Sequence, residues 1–513
     1  MAVSDTKRIV GSITAVALAV SVAYFSGIQL PFLSSPKEAG LKNYVFNETV
    51  GGWEVSADMQ INPMLSSKAN YDYGTEEYPI PESCKILHTE TVQRHGARHL
   101  NKESKLKKII AFFEEQRTNG TLKNDMVIQW AKDLLRKETN HTGSICPTGE
   151  FEIRGIARRM RERLHLDTDK TGDIYIETTY KKRTQETRDT FLSALLPADY
   201  PSSSLHYLNG STCEHLVDSD GNVDRSLFAS YAPLRFFSIC PNYQKAKTNP
   251  NLLQAVEESF QYNPDMPRLE AANGIWSALL PSPANLTTPL KIATLRHLYS
   301  LCQLEASCYN DYARSCELLL REPAALRQLV YDDDMRLYAF KGEGDPLYWR
   351  MACPLARDLL AGLAAGLRDA MPEGNAKEAF VASMEEYLDF EKVPASRAHL
   401  RFAHAESILP LYFLFIMKPP RVQTNRMRFS GHDYIPMSAN FQIDLLECNG
   451  EFYVRFLANE VPVALDVPGM EGTKLFKATD FIEQWVQVLK DNNMENCLYE
   501  DWKELCGTPE CTM

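Results

Sequence analysis

The stretch Thr91-Val92-Gln93-Arg94-His95-Gly96-Ala97-Arg98 sets two arginines about a histidine and a glycine. It follows Cys84-Lys85-Ile86-Leu87-His88-Thr89-Glu90, which reads as an extended strand, so the motif sits on a loop at a strand end. A phosphate ester needs the charge on its non-bridging oxygens neutralised before a nucleophile can approach. Arginine does this best, because its planar fork matches phosphate and stays charged. Gly96, lacking a Cβ, lets the backbone turn sharply and bring its amides close to an anion. A neutral imidazole between such arginines can attack phosphorus, and the positive charge beside it depresses its pKa. His95 is the candidate nucleophile. Arg94 and Arg98 as solvated surface residues, with His95 a satisfied polar histidine, is the bland alternative. Four fixed residue types in Arg-His-Gly-x-Arg arise by chance in well under ~1 in 100 chains of this length.

With 513 residues, 44% of them apolar and 24% charged, the chain is an ordinary globular protein long enough for two domains or one domain with a large insertion. A net charge of −12 argues against nucleic acid as a partner, so an anionic substrate has to be drawn in by a local basic funnel.

Lys7 and Arg8 precede an uncharged run from Ile9 to Pro36. Residues 1–33 read as a signal peptide, with Ser21-Val22-Ala23 offering cleavage after Ala23, or as a signal anchor, since ~20 apolar residues span a bilayer. Both put the remaining chain in the secretory pathway, secreted or membrane-anchored with the catalytic part on the lumenal or extracellular side. Sequons at Asn47, Asn119, Asn140, Asn209 and Asn285 agree and imply N-glycans. Twelve cysteines without a tight Cys-x-x-Cys pattern suggest disulfides rather than a metal site, and their pairing is not fixed by spacing.

Residues 34–81 read as an irregular stem. After the first strand, Asn101–Gln116 reads as a helix with a solvated lysine face, and Pro147–Arg163 as another with Thr148 as its cap. Asp173–Thr179 alternates as a strand and runs into Tyr180-Lys181-Lys182-Arg183-Thr184-Gln185, which opens a helix through Leu196. A second strand thus ends in an arginine, where anions bind. Helical periodicity dominates 202–394, as in Leu252–Phe260, Leu290–Leu304 and Leu355–Leu367. Within it Lys341-Gly342-Glu343-Gly344-Asp345-Pro346 is a flexible turn. A third strand, Ala398–Ala403, meets His404-Ala405-Glu406-Ser407 at the start of a helix through Phe415. His404 can bind a phosphoryl oxygen. Glu406 can protonate a leaving alkoxide if its pKa is raised enough to hold a proton, with helix capping as the bland alternative. Asn449-Gly450 between Phe441–Leu446 and Glu451–Phe456 is a hairpin signal at the sheet edge.

These elements predict an α/β fold: a three-layer αβα domain on a central mixed, mostly parallel sheet, formed by 82–201 and 395–513, with 202–394 a mostly helical inserted domain.

Arg94-His95-Gly96-Ala97-Arg98, Arg183 and His404-Ala405-Glu406, in that order on strand-to-helix turns, resemble the histidine acid phosphatases (histidine phosphatase branch 2). The His-Ala-Glu ending is similar to the branch acting on inositol polyphosphates. The likeness covers about Cys84 to Leu489. It implies His95 as a nucleophile that becomes phosphohistidine, Arg94, Arg98, Arg183 and His404 as the phosphate cradle, and Glu406 as proton donor. It further implies no metal and no cofactor, and phytate, lower inositol phosphates or 2,3-bisphosphoglycerate as substrates. Lys181, Lys182, Lys341 and Arg350 are the additional candidate contacts for a polyphosphate. Two positions depart from the pattern: Leu100 stands where a proline is usual and His99 where an aromatic often precedes it. A broad-specificity acid phosphatase, and a glycoprotein that keeps the fold only as a binding module, are the alternative readings.

Overall fold

The computed structural model describes residues 44–47, 52–55, 61–71, 80–209, 234–249, 272–280, 287–342, 346–384, 396–415, 430–463, 474–491 and 499–507. The signal or anchor segment 1–33, the expected helix Leu252–Phe260, the sequon at Asn285 and Glu343-Gly344-Asp345 lie outside them. Among the described residues no helix is long and apolar enough to cross a membrane. The chain forms two compact units, Met1–Glu54 and Val55–Met513. A two-stranded sheet pairs β1 (Tyr44–Asn47) with β2 (Gly52–Val55).

The larger unit is built on an eight-stranded sheet. Its strands are β3 (Cys84–Arg94), β4 (Ile174–Thr178), β5 (Leu205–Asn209), β6 (Ala398–Ala403), β7 (Asn440–Cys448), β8 (Glu451–Ala458), β9 (Val461–Pro462) and β10 (Phe476–Lys477). The spatial order is β10-β8-β7-β3-β6-β4-β5, with β9 on β8. β3, β6, β4 and β5 run parallel, and β7, β8 and β10 continue antiparallel on the other side of β3. Asn449 and Gly450 both take positive φ, 53° and 84°, the geometry a two-residue hairpin needs. β5 adds a strand at the start of the segment read as mostly helical. Leu205–Asn209 is too short to show alternation, and its pairing with β4 makes it a strand.

Period-2 alternation explains the layers. Leu400 and Phe402 of β6, with Ile174 and Ile176 of β4, pack on the helices Pro147–Arg163 and Lys182–Leu195. Phe441, Ile443 and Leu445 of β7 face the helices Cys353–Ala370, Ala405–Phe415 and Ala478–Asp491 on the opposite side. Truncating Phe402, 1% exposed, to alanine costs about 3–5 kcal/mol. Under the second layer the alternation turns polar. Arg401 of β6 pairs with Glu90 of β3 and with Asp358 at 2.5 Å, and His88 lies 2.8 Å from Glu90. Gly362 makes room for this cluster, since a Cβ there would sit 1.7 Å from Glu90 Oε1.

Four disulfides join described cysteines: Cys84–Cys448, Cys146–Cys308, Cys240–Cys506 and Cys302–Cys316.

Candidate active site

The sheet register places the site. Arg94 of β3 is opposite Ala403 of β6, and Thr178 of β4 is opposite Phe402. The residues that follow, His95, His404 and Thr179, therefore emerge side by side at the carboxyl ends of three adjacent parallel strands, where α/β folds bind ligands. The His95 N–H donates to Ala403 O and the Thr179 N–H to Phe402 O, each at 3.2 Å.

His95 is 4% exposed, and its ring centroid lies 5.7 Å from that of His404. Nδ1 is 3.0 Å from the Gly96 carbonyl. A carbonyl only accepts, so Nδ1 carries the proton and Nε2 keeps its lone pair. Burial first, then Arg183, Arg98 and Arg94, pull the His95 pKa well below its ordinary value. The shift favours the neutral, nucleophilic ring.

Gly96 has another use than the anion contact expected for it. Its N–H donates to Thr187 Oγ1 at 3.1 Å, so that amide is already engaged. The glycine is needed for close backbone packing: a Cβ on Gly96 would lie 3.0 Å from Gly149 O, and one on Gly149 would lie 2.2 Å from Ala97 O. The Arg-His-Gly loop is thus seated on the first turn of Pro147–Arg163. Thr148 does not cap that helix as expected; Cys146 holds the cap position, and the Thr148 hydroxyl donates to Cys308 O at 3.1 Å.

Arg94, Arg98 and Arg183 surround the ring. Burial pushes each guanidinium down to about 10, which leaves all three charged at any acidic or neutral pH. Nη1 of Arg94 is fixed by the carbonyls of Ser67 at 2.8 Å, Ile435 at 2.5 Å and Pro436 at 2.9 Å. Among the described residues, Nε of all three arginines is buried without an acceptor. Three guanidinium charges gathered around one imidazole describe a place for an oxyanion.

His404 is 2% exposed and neutral, its pKa pulled well down by burial and then by Arg183 and Arg235. Nδ1 lies 3.3 Å from Arg183 Nη2; Nε2 lies 3.1 Å from Thr179 Oγ1 and 3.2 Å from Arg235 Nη1. A neutral imidazole has one acceptor nitrogen, so only one arginine can bond the ring at a time.

Glu406 contradicts the raised pKa that a resting proton donor requires. Burial alone would raise it, but Lys341, with Nζ 2.9 Å from Oε1, holds the carboxyl well below its ordinary range. Lys341 ends the helix Pro323–Lys341 and so meets the His404–Glu406 turn directly. The other candidate contacts are placed differently. Lys181 is half-buried with its ammonium 4.3 Å from the Tyr180 ring centre, whereas Lys182 is exposed and 3.6 Å from Glu186 on its own helix. Arg350 ends the short helix Pro346–Arg350 and is half-buried.

Three contributors carried no sequence signal. Arg235, 8% exposed, lies under Tyr180 at 5.0 Å and against His404, and nothing local marks it within a segment read as helical. Lys68, on the turn Asn62–Lys68, shares the field of Arg98, Arg94, Lys105 and Lys341; burial first, and then these cations, pull its ammonium well below the ordinary value. Glu138, fully buried, holds the loop after Arg98. It accepts from His99 Nδ1 at 2.8 Å, the Tyr309 hydroxyl at 2.7 Å and the Leu100 N–H at 2.6 Å. The last bond requires the departure at Leu100, because proline has no N–H to give.

Residues 85–459 match the family model described as the histidine phosphatase superfamily (branch 2). The chain is 22% identical over 408 residues to the thiamine-repressible acid phosphatase of Schizosaccharomyces pombe, covering 74% of this chain and 76% of that protein. It is 22% identical over 288 residues to multiple inositol polyphosphate phosphatase 1 of Dictyostelium discoideum, covering 55% of this chain and 42% of that one. The fold is shared with the multiple inositol polyphosphate phosphatase of Bifidobacterium longum, solved with inositol hexasulfate, at a TM-score of 0.57 and 18% identity over 82% of this chain and 96% of that one. It is also shared with the phytase of D. castellii, at 0.57 and 17% over 87% and 88%.

Proposed function

Because the chain belongs to branch 2 of the histidine phosphatase superfamily and is a phosphatase, we propose that it hydrolyses inositol polyphosphates, phytate among them, through a phosphohistidine at His95. The observation that carries the reading is the imidazole locked by Gly96 with Nε2 free among three arginines. Nε2 attacks phosphorus and the P–O bond to the inositol carbon's oxygen breaks. Glu406 supplies the proton that the leaving alkoxide takes. Water then attacks the phosphohistidine, gives a proton to the Glu406 carboxylate, and releases inorganic phosphate with His95 restored. Arg94, Arg98, Arg183 and His404 cradle the transferring group, so the barrier falls mainly by charge neutralisation. No step needs a metal or cofactor in this scheme. Lys68, Lys181 and Lys341 supply charge for the remaining phosphates, with Arg350 a further contact in the same reading and Lys182 the one its placement favours least.

A broad acid phosphatase is the second reading, favoured by curated relatives named as acid phosphatases. Comparing kcat/KM on phytate and on p-nitrophenyl phosphate at roughly pH 4–6 separates the two. A preference for phytate supports the polyphosphatase; equal or better use of the aryl ester refutes it. Trapping of phosphohistidine by acid-free quenching excludes the non-catalytic binding module.

The four disulfides support an oxidising compartment, hence secretion or display on the lumenal side. Asn119 and Asn140 are exposed in turns that follow helices and are suited to carry N-glycans. The 513 residues could be displayed by the N-terminal apolar run or released from it; detergent partitioning of the expressed full chain distinguishes these.

A further inference from the structure

Glu406 is the one carboxylate assigned to the chemistry, and it is half-buried with, among the described residues, a single cationic partner at contact distance, Lys341 Nζ at 2.9 Å. The charged and titratable groups facing it are Lys341 from the end of Pro323–Lys341, His404 from its own turn, Arg94 and Arg98 from the β3 loop, Arg183 from the helix after β4, and Tyr243. The arginines and His404 are tied to the cradle. Lys341 is different, because it stands at the end of its helix beside Gly342 and reaches Glu406 by a flexible stem. Its side chain is 26% exposed and that of Glu406 is 28%, so both are partly reached by solvent.

We propose that Lys341 couples occupancy of a second phosphate position to the proton on Glu406. With Lys341 in place, Glu406 is an anion and cannot protonate a leaving group. A neighbouring phosphate of a polyphosphorylated substrate is a stronger, doubly charged partner for the ammonium than one carboxylate. When Lys341 swings to it, Glu406 loses its counter-charge and gains a nearby anion. Both changes raise its proton affinity. It takes one proton from solvent, gives it to the alkoxide as the P–O bond breaks, and recovers one from the attacking water. A monoester with no second phosphate leaves the Lys341–Glu406 pair closed, so specificity for polyphosphates arises at the acid step as well as in binding. The inference rests on the polyphosphate reading for its substrate, but the Lys341–Glu406 linkage is read separately.

The test measures kcat/KM against pH for wild type, K341M and K341R on three esters. Glycerol 2-phosphate leaves as an alkoxide that needs a proton, p-nitrophenyl phosphate leaves as a stable phenolate, and phytate offers further phosphates. In K341M the basic limb for glycerol 2-phosphate moves up by at least one pH unit, while the limb for p-nitrophenyl phosphate moves much less; K341R restores the wild-type position. For phytate the variant raises KM at least tenfold, and its limb no longer differs from that of glycerol 2-phosphate. A glycerol 2-phosphate limb that stays fixed in K341M, or that moves equally with the aryl ester, overturns the coupling even if phytate is hydrolysed. A shifted limb with no phytate turnover supports the linkage and refutes the polyphosphate substrate. If none of the three esters turns over, both readings fall.

Discussion

Nδ1 of His95 lies 3.0 Å from the carbonyl oxygen of Gly96, its own neighbour in the chain. The bond decides which nitrogen can accept phosphorus. Rapid-quench trapping followed by alkaline hydrolysis and separation of the two phosphohistidine isomers is expected to yield only the Nε2 isomer. His95→Ala is expected to lower kcat on the order of 10⁴-fold or more. Recovery of the Nδ1 isomer would remove the tautomer argument.

Arg235 stands 3.2 Å behind His404 and shares its Nε2 with Thr179. Arg235→Met removes a charged donor from a buried site and is expected to lower kcat/KM by roughly 10–100-fold, the equivalent of about 1.5–3 kcal/mol. Competitive inhibition by inorganic phosphate should weaken in parallel. An unchanged phosphate inhibition constant would make Arg235 a packing residue only.

Glu138 accepts three hydrogen bonds around the residues that follow Arg98. Glu138→Gln turns an amide donor toward existing donors, and Leu100→Pro deletes one of them. Each is expected to cost about 1–3 kcal/mol, seen as a lower denaturation midpoint in urea at constant slope. The double variant should lose less than the sum, because both break the same bond. Full additivity would uncouple Leu100 from Glu138.

Glu177 lies in the buried cluster with Arg401, and burial, with Asp358 beside it, pushes its carboxyl up to about 8. Its folded pKa is thus above the unfolded value near 4.3, so the folded state holds the proton longer and loses stability as pH rises between the two. Relative to Glu177→Gln, which cannot ionise, the wild type is expected to show a melting temperature that falls from about pH 5 to pH 8 and then levels. A constant difference across that range would mean that Glu177 is ionised throughout. The same sign holds for Glu152 and Asp334, each raised to about 7 chiefly by burial, so the fold is suited to acid.

What the sequence disclosed was whatever is local. Arg94 to Arg98, Arg183 and His404 to Glu406 each close a strand by short-range pattern, and the register of β3, β6 and β4 brings three local signals into one cluster. What it hid depends on distant packing. Arg235 and Lys68 have no motif because their meaning comes from residues on other elements, 169 positions away for the Arg235–His404 pair. Gly96 has a backbone partner, Gly149, that no pattern predicts. The direction of the Glu406 shift was illegible for the same reason, since Lys341 arrives from the end of another helix.

Cys84 and Cys448 lie 364 residues apart yet tie the start of β3 to the end of β7. The loops that join β3 to β7 fall between these two cysteines. A protease that cuts one of them leaves fragments held by a covalent link, with Cys146–Cys308 and Cys240–Cys506 closing further rings. Nicked enzyme should therefore travel as a single band until a thiol is added. Cleavage of the backbone inside such a ring would then be a scar and not the end of the enzyme.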